Sequence, residues 1–156
     1  MLTVNAKIPE MIVQVVTLDG KKEMNTTELF KEKTILFGLP GAFTPTCSQI
    51  QLPDFAKQEQ ALRTKGYKNI ICMAVNDAFV MQSWKEKVAP DANIIMLADG
   101  SCALTKALGL ELDLQEKHMG VRCIRFLLVV ENGLVLKINV EENPGICSVS
   151  SVNSLF

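Results

Sequence analysis

Residues 34–48 read TILFGLPGAFTPTCS. Thr34 to Phe37 is an apolar, β-branched run of the kind a buried central strand needs. It breaks into a loop punctuated by Gly38, Pro40, Gly41 and Pro45. A helical pattern then runs from about Thr46 to Lys65. Ile50, Phe55, Ala61 and Leu62 are expected on its buried face, and Gly66 is its stop. Strand, stiff loop and helix make half of an α/β unit. Cys47 falls in the first turn of that helix.

Working outward, strand and helix signals alternate. Met11 to Leu18 is a strand closed by an Asp19-Gly20 turn. Asn25 to Glu28 has the form of a capping box and opens a short helix through Lys31. Asn69 to Val75 is a second buried strand, and Asp77 caps a helix through about Val88. Ile94 to Leu97 is a third strand, followed by an Asp99-Gly100 turn. Ser101 to Leu108 is helical, with Gly109 after it. Ile124 to Val130 and Leu134 to Val140 flank Asn132-Gly133, a strong hairpin signal because both turn residues tolerate positive φ. Ser148 to Phe156 reads as a short final helix. Alternating strands and helices predict an α/β layer fold with a central sheet, and the closing hairpin makes that sheet mixed. Helices on both faces and a terminal hairpin and helix match the thioredoxin-like arrangement, which periodicity alone does not separate from other small α/β folds.

The chain has 156 residues, a length expected of one domain over residues 1–156. Apolar residues are 48% and charged residues 21%, the balance of a globule with a core. The net charge is −1, and Lys and Arg are scattered, so no nucleic-acid partner is expected. The apolar runs, such as Phe126 to Val130, are far shorter than the ~20 residues of a membrane span, and no membrane role is expected. The start lacks the apolar region of a secretory signal, so the expected location is cytoplasmic, a mitochondrial or peroxisomal pool remaining open.

The five cysteines are Cys47, Cys72, Cys102, Cys123 and Cys147, and His118 is the single histidine. An odd count with no C-x-x-C argues against a disulfide framework, and the pattern gives no support to a zinc site or another cofactor. Most free cysteines are simply small buried hydrophobes. Cys47 has a different setting. Backbone N–H groups in the first turn of a helix have no intrahelical partner, and with the helix dipole they favour an anion. A free thiol of pKa ~8.5 is only about 3% ionised at neutral pH, and a predominantly ionised thiol needs about 3 kcal/mol of stabilisation. A helix terminus supplies roughly 0.3–2 kcal/mol, so a cation is also required. Arg122 and Arg125 are the candidates; each can equally be a surface charge. Thr44 can bond its own loop or turn its hydroxyl to the sulfur and orient a substrate oxygen. Pro40 and Pro45 stiffen the loop, and Gly41 allows close backbone approach.

Pro40, Thr44 and Cys47 form P-x-x-x-T-x-x-C, and the longer FGLPGAFTPTCS resembles the type II and peroxiredoxin-5-like group of peroxiredoxins. Val75–Val80 (VNDAFV), Ala107–Gly120 (ALGLELDLQEKHMG) and Arg125–Gly133 (RFLLVVENG) resemble blocks of the same group, so the likeness runs from Ile8 onward. It implies a thioredoxin-like fold and a thiol-dependent peroxidase acting on hydrogen peroxide and organic hydroperoxides. Cys47 would be the peroxidatic cysteine, oxidised to a sulfenic acid. Thr44 and the N–H groups of Thr46 and Cys47 would hold the peroxide. Arg125 would polarise the O–O bond, and Pro40 would shield the sulfur. Arg122 would be a more distant charge. The group's usual homodimer would use loops near the site, where Phe43 and Phe79 are candidate contacts.

Two cysteines compete to resolve the sulfenic acid. Cys147 lies in the turn-rich PGICS and resembles the C-terminal resolving cysteine of the peroxiredoxin-5 group. Cys72 lies in the buried strand NIICMAV, at the place plant type II enzymes use. Mobility favours Cys147, and resolution by an external thiol stays open. Thioredoxin or glutaredoxin is the expected reductant. Two rival functions stand beside the peroxidase. A disulfide oxidoreductase would need the C-x-x-C that Cys47 lacks. A non-catalytic redox sensor or holdase chaperone would use the same cysteine and differ only in rate.

Overall fold

The structure is a computed structural model that describes residues 2–156. Its frame is a seven-stranded sheet in the order β2-β1-β5-β4-β3-β8-β9. These strands are β1 (Ile12–Thr17), β2 (Gly20–Asn25), β3 (Thr34–Gly38), β4 (Asn69–Ala74), β5 (Ile95–Ala98), β8 (Phe126–Glu131) and β9 (Leu134–Val140). β3, β4 and β5 are parallel; β1 and β8 join them antiparallel, so the sheet is mixed. A separate ribbon pairs β6 (Glu111–Leu114) with β7 (Gly120–Cys123).

Side chains on a strand point alternately to opposite faces, and the two cores follow that alternation. Ile35, Phe37, Ile70, Cys72, Leu127 and Val129 face one core, closed by α2 (Leu52–Thr64) and α3 (Ala78–Val88). Leu36, Ile71, Met73, Leu128 and Val130 face the other, closed by α1 (Thr26–Leu29) and α4 (Ala103–Leu108). The chain thus has the thioredoxin-like sandwich, with helices on both faces. Gly38 pairs with Phe126 across β3 and β8. A Cβ on Gly38 would lie 2.1 Å from the Phe126 ring, so only glycine lets the two strands close at this point.

Several details depart from the expectations. Strand β2 was not anticipated, because its GKKEMN is polar and exposed, the composition of a protected sheet edge. The β6–β7 ribbon was not anticipated either. Arg122 therefore lies in β7, and Arg125 lies in the connection to β8 rather than inside the hairpin. The helix after the loop opens with a wide π turn, Cys47–Gln51, in which the Leu52 N–H bonds the Cys47 carbonyl. That turn holds one residue more than an α turn and shifts the phase. Gln51 is buried in place of the expected Ile50, which is 45% exposed. The capped helix at Asn25 ends at Leu29, and the final segment forms only a 3₁₀ turn, Val152–Leu155.

Candidate active site

The β3–α2 loop delivers Cys47 to the end of the sheet, where its sulfur is fully buried. Arg125 comes to it from the connection between β7 and β8 at the same end. The Arg125 side chain is itself 2% exposed. Nη2 donates to the Cys47 Sγ at 3.3 Å, Nε donates to the Pro144 carbonyl at 3.1 Å, and Nη1 donates to the Gln51 side-chain carbonyl. Among the described residues no carboxylate forms an ion pair with Arg125. A buried guanidinium without a counter-charge is costly. Of the three groups it bonds, only the sulfur can carry a negative charge.

The loop is held from several sides. The Asn76 side-chain carbonyl accepts the Ala42 N–H at 2.9 Å. Arg122 donates to the Met119 carbonyl at 2.8 Å and to the Pro40 carbonyl at 3.4 Å. It does not bond the sulfur; it braces the loop. A Cβ on Gly41 would lie 2.8 Å from the Arg122 guanidinium, so the glycine makes room for this brace. The Thr44 hydroxyl donates to the Gly41 carbonyl at 2.7 Å, the local bond that was one of its two readings. With its proton used there, Thr44 offers an incoming hydroxyl a lone pair. The Trp84 indole donates to the Ser48 hydroxyl at 2.9 Å, directly after Cys47.

Arg125 also lines a cavity of about 240 Å³ with Pro40, Thr44, Pro45, Thr46 and Met119. Pro144 and Gly145 form its far wall. That wall belongs to the segment leading to Cys147. It is tied to the sulfur's surroundings by Arg125 and by the Thr46 hydroxyl, which donates to the Gly145 carbonyl at 3.0 Å. The structure thus brings Pro40, Gly41, Thr44, Thr46, Cys47 and Arg125 together.

The other thiols differ in setting. Cys147 is half-buried, its sulfur 3.9 Å from the Ser150 hydroxyl. Burial pushes its thiol up, against the pull of Ser150 and Arg125. Cys72 is fully buried in β4, opposite Phe37 and Met96. Burial pushes it well up, and the neighbouring Cys47 and Cys123 add to this. Cys123 is also fully buried and pushed well up by burial. Asn76, Gln51 and Glu141 escaped the sequence reading. Asn76 sits in the VNDAFV block, but nothing in a polar residue after a strand signals that it holds a loop. No group of metal-ligating side chains occurs among the described residues. Among them, too, no helix is long and apolar enough to cross a membrane.

The sequence model of the Redoxin family matches residues 3–155. Peroxiredoxin-2D of Arabidopsis thaliana is 46% identical over 125 residues, 80% of this chain and 76% of that protein. Chloroplastic peroxiredoxin-2E-2 of Oryza sativa is 45% identical over 143 residues, which are 88% of this chain but only 63% of the rice protein. Reduced Prx3 of Vibrio vulnificus, solved in complex with hydrogen peroxide, superposes with a TM-score of 0.92 at 38% identity, covering 99% of this chain and 97% of that one.

Proposed function

The chain belongs to the redoxin family, among the type II peroxiredoxins, and we propose that it works as a thiol-dependent peroxidase with Cys47 as nucleophile and Arg125 as its electrostatic partner. The buried 3.3 Å contact between Arg125 and the Cys47 sulfur carries this reading. A peroxide enters by the cavity under Pro40 and Pro144. Its hydroxyl donates to Thr44, and the Thr46 and Cys47 N–H groups meet its oxygens. The Cys47 thiolate attacks one oxygen, the O–O bond breaks, and the departing oxygen takes a proton and leaves as water or an alcohol. The sulfur becomes a sulfenic acid. Arg125 meets the charge as it moves from sulfur to the departing oxygen. That Prx3 of Vibrio vulnificus was solved in complex with hydrogen peroxide supports a peroxide substrate here. The cavity also has room for a substituted hydroperoxide, since a water's share of liquid volume is only about 30 Å³.

Cys147 then condenses with the sulfenic acid, and a thioredoxin-like dithiol reduces the disulfide. Its partial exposure and its turn-rich surroundings support Cys147 over the buried Cys72. Thioredoxin or glutaredoxin is the proposed reductant, the protein works in the cytoplasm, and two copies pair through exposed Phe43 and Phe79. The test is turnover: hydrogen peroxide and an alkyl hydroperoxide are supplied with either reducing system. Repeated turnover lost in Cys47→Ser supports the enzyme. Stoichiometric oxidation that stops after one event would instead favour the sensor.

A further inference from the structure

β9 is an edge strand, and alternate residues along it share one face. That face holds the end of the chain. Lys137 Nζ donates to the Ser154 carbonyl at 2.6 Å, and Asn139 Nδ2 donates to the Val149 carbonyl at 2.8 Å. Glu141 continues the alternation just past the strand and is 3% exposed. Its Oε2 accepts from the Ser148 N–H (2.8 Å), the Ser150 N–H (2.8 Å) and the Ser150 hydroxyl (2.6 Å), and its Oε1 accepts the Ser148 hydroxyl at 3.0 Å. No Lys or Arg forms an ion pair with it among the described residues. Burial opposes its charge, yet the Ser150 and Ser148 donors hold the carboxyl below its ordinary range. Its own N–H donates to the Arg125 carbonyl at 3.0 Å.

One residue therefore ends the strand, touches the backbone of Arg125 and grips Ser148, the neighbour of Cys147. The segment from Glu142 to Cys147 is a loop closed at both ends by Glu141. Its other side-chain ties to the rest of the chain are Arg125 to Pro144 and Thr46 to Gly145, from the peroxidatic site, and the 3.9 Å contact of Cys147 with the Ser150 hydroxyl.

We propose that Glu141 is a positioning residue for the resolving step: its buried carboxylate pins the backbone just after Cys147, so that this thiol reaches Cys47 on a short closed loop and not on the longer, looser one that the Asn139–Val149 bond alone would close. The inference rests on the reading of Cys147 as the resolving thiol. In that step the Cys147 thiolate attacks the sulfenic sulfur, the S–S bond forms, and the S–O bond breaks. Hydroxide leaves and takes a proton to become water. The oxidising equivalents come from the peroxide already reduced. A short closed loop keeps the thiol at high effective concentration, whereas a longer, looser one dilutes it. Slow resolution leaves the sulfenic acid open to a second peroxide and to sulfinic acid.

The test is a single-turnover reaction of the pre-reduced full chain with one equivalent of hydrogen peroxide. It is quenched with an alkylating agent and read by mass spectrometry. Loss of the Cys47 thiol and appearance of the Cys47–Cys147 disulfide are timed separately. Glu141→Gln is expected to leave the first rate unchanged and to slow the second about tenfold. Excess peroxide should then leave more Cys47 as sulfinic acid. Ser150→Ala, which keeps the carboxylate and one hydroxyl donor, should shift both readouts the same way by less. A general loss of fold would slow the first rate too, which separates positioning from mere stability. Unchanged or faster disulfide formation in both variants, with the disulfide abolished by Cys147→Ser, overturns the role of Glu141 alone. An intramolecular disulfide that survives Cys147→Ser overturns the resolving assignment itself.

Discussion

Arg125 and Pro144 are joined by a 3.1 Å hydrogen bond from Nε to the carbonyl, and the same guanidinium holds the Cys47 sulfur at 3.3 Å. One buried cation thus touches both the Cys47 sulfur and the loop that leads to Cys147. Arg125→Gln removes the charge while keeping a donor. The second-order rate of Cys47 oxidation should fall about 10²–10³-fold, by analogy with the loss of one preorganised donor. Arg125→Lys should not restore it, because an ammonium cannot hold sulfur, Gln51 and Pro144 in one plane. Stopped-flow oxidation of both variants, with circular dichroism as a check on folding, measures this.

Gly38 and Phe126 meet across β3 and β8, and Phe126 directly follows Arg125. Gly38→Ala drives a Cβ into a packed ring. We expect a loss of about 1–3 kcal/mol in chemical denaturation, as for overpacked cores. Peroxide reactivity should fall with it where β8 gives way, because a shift of the Phe126 backbone carries the adjacent Arg125 with it.

Cys72 and Cys147 separate cleanly by burial. Cys72→Ser sets a hydroxyl in a dry core and should cost about 1–3 kcal/mol of stability. It should still form an intramolecular disulfide after peroxide treatment. Cys147→Ser should be close to native in stability and should form none. A peptide map of each treated variant, beside its denaturation curve, decides the matter.

The pH dependence of Cys147 follows from its burial. Burial pushes its thiol above the ordinary range, so the thiolate fraction at neutral pH is lower than that of a free cysteine. Alkylation of Cys147 by iodoacetamide in the Cys47→Ser variant should therefore be slow near pH 7. Its midpoint should lie above about pH 8.5, that of a free thiol. A midpoint at or below that pH contradicts the burial argument.

The parts of this architecture that rest on local chemistry are legible in the chain. Thr34 to Phe37, Asn69 to Val75 and the Asn132-Gly133 hairpin declare themselves through apolar runs and turn residues. Asp77 caps its helix through a 2.9 Å bond to the Val80 N–H. Strand β2 does not declare itself, since an exposed edge need not be apolar. The π turn at Cys47 is also invisible, since Gln51, buried in place of Ile50, finds its partner in Arg125, far away in sequence. The site divides in the same way. Pro40, Gly41, Thr44, Thr46 and Cys47 lie in one motif. Arg125 could be proposed from charge, but choosing it over Arg122 needed the resemblance. Asn76, Gln51 and Glu141 act through long-range hydrogen bonds that no spacing announces.

On the proposed reading, the loop and Arg125 make Cys47 a peroxide-reactive thiol. Trp84 bonds Ser48 beside it and is the chain's one tryptophan, so its fluorescence reports on the site. The decisive measurement is stopped-flow Trp84 fluorescence of the pre-reduced protein mixed with hydrogen peroxide, wild type against Cys47→Ser. A second-order change orders of magnitude faster than a free thiol, absent in Cys47→Ser, is the predicted result. A wild type that reacts no faster than a free thiol, or a fast phase that survives in Cys47→Ser, would contradict it.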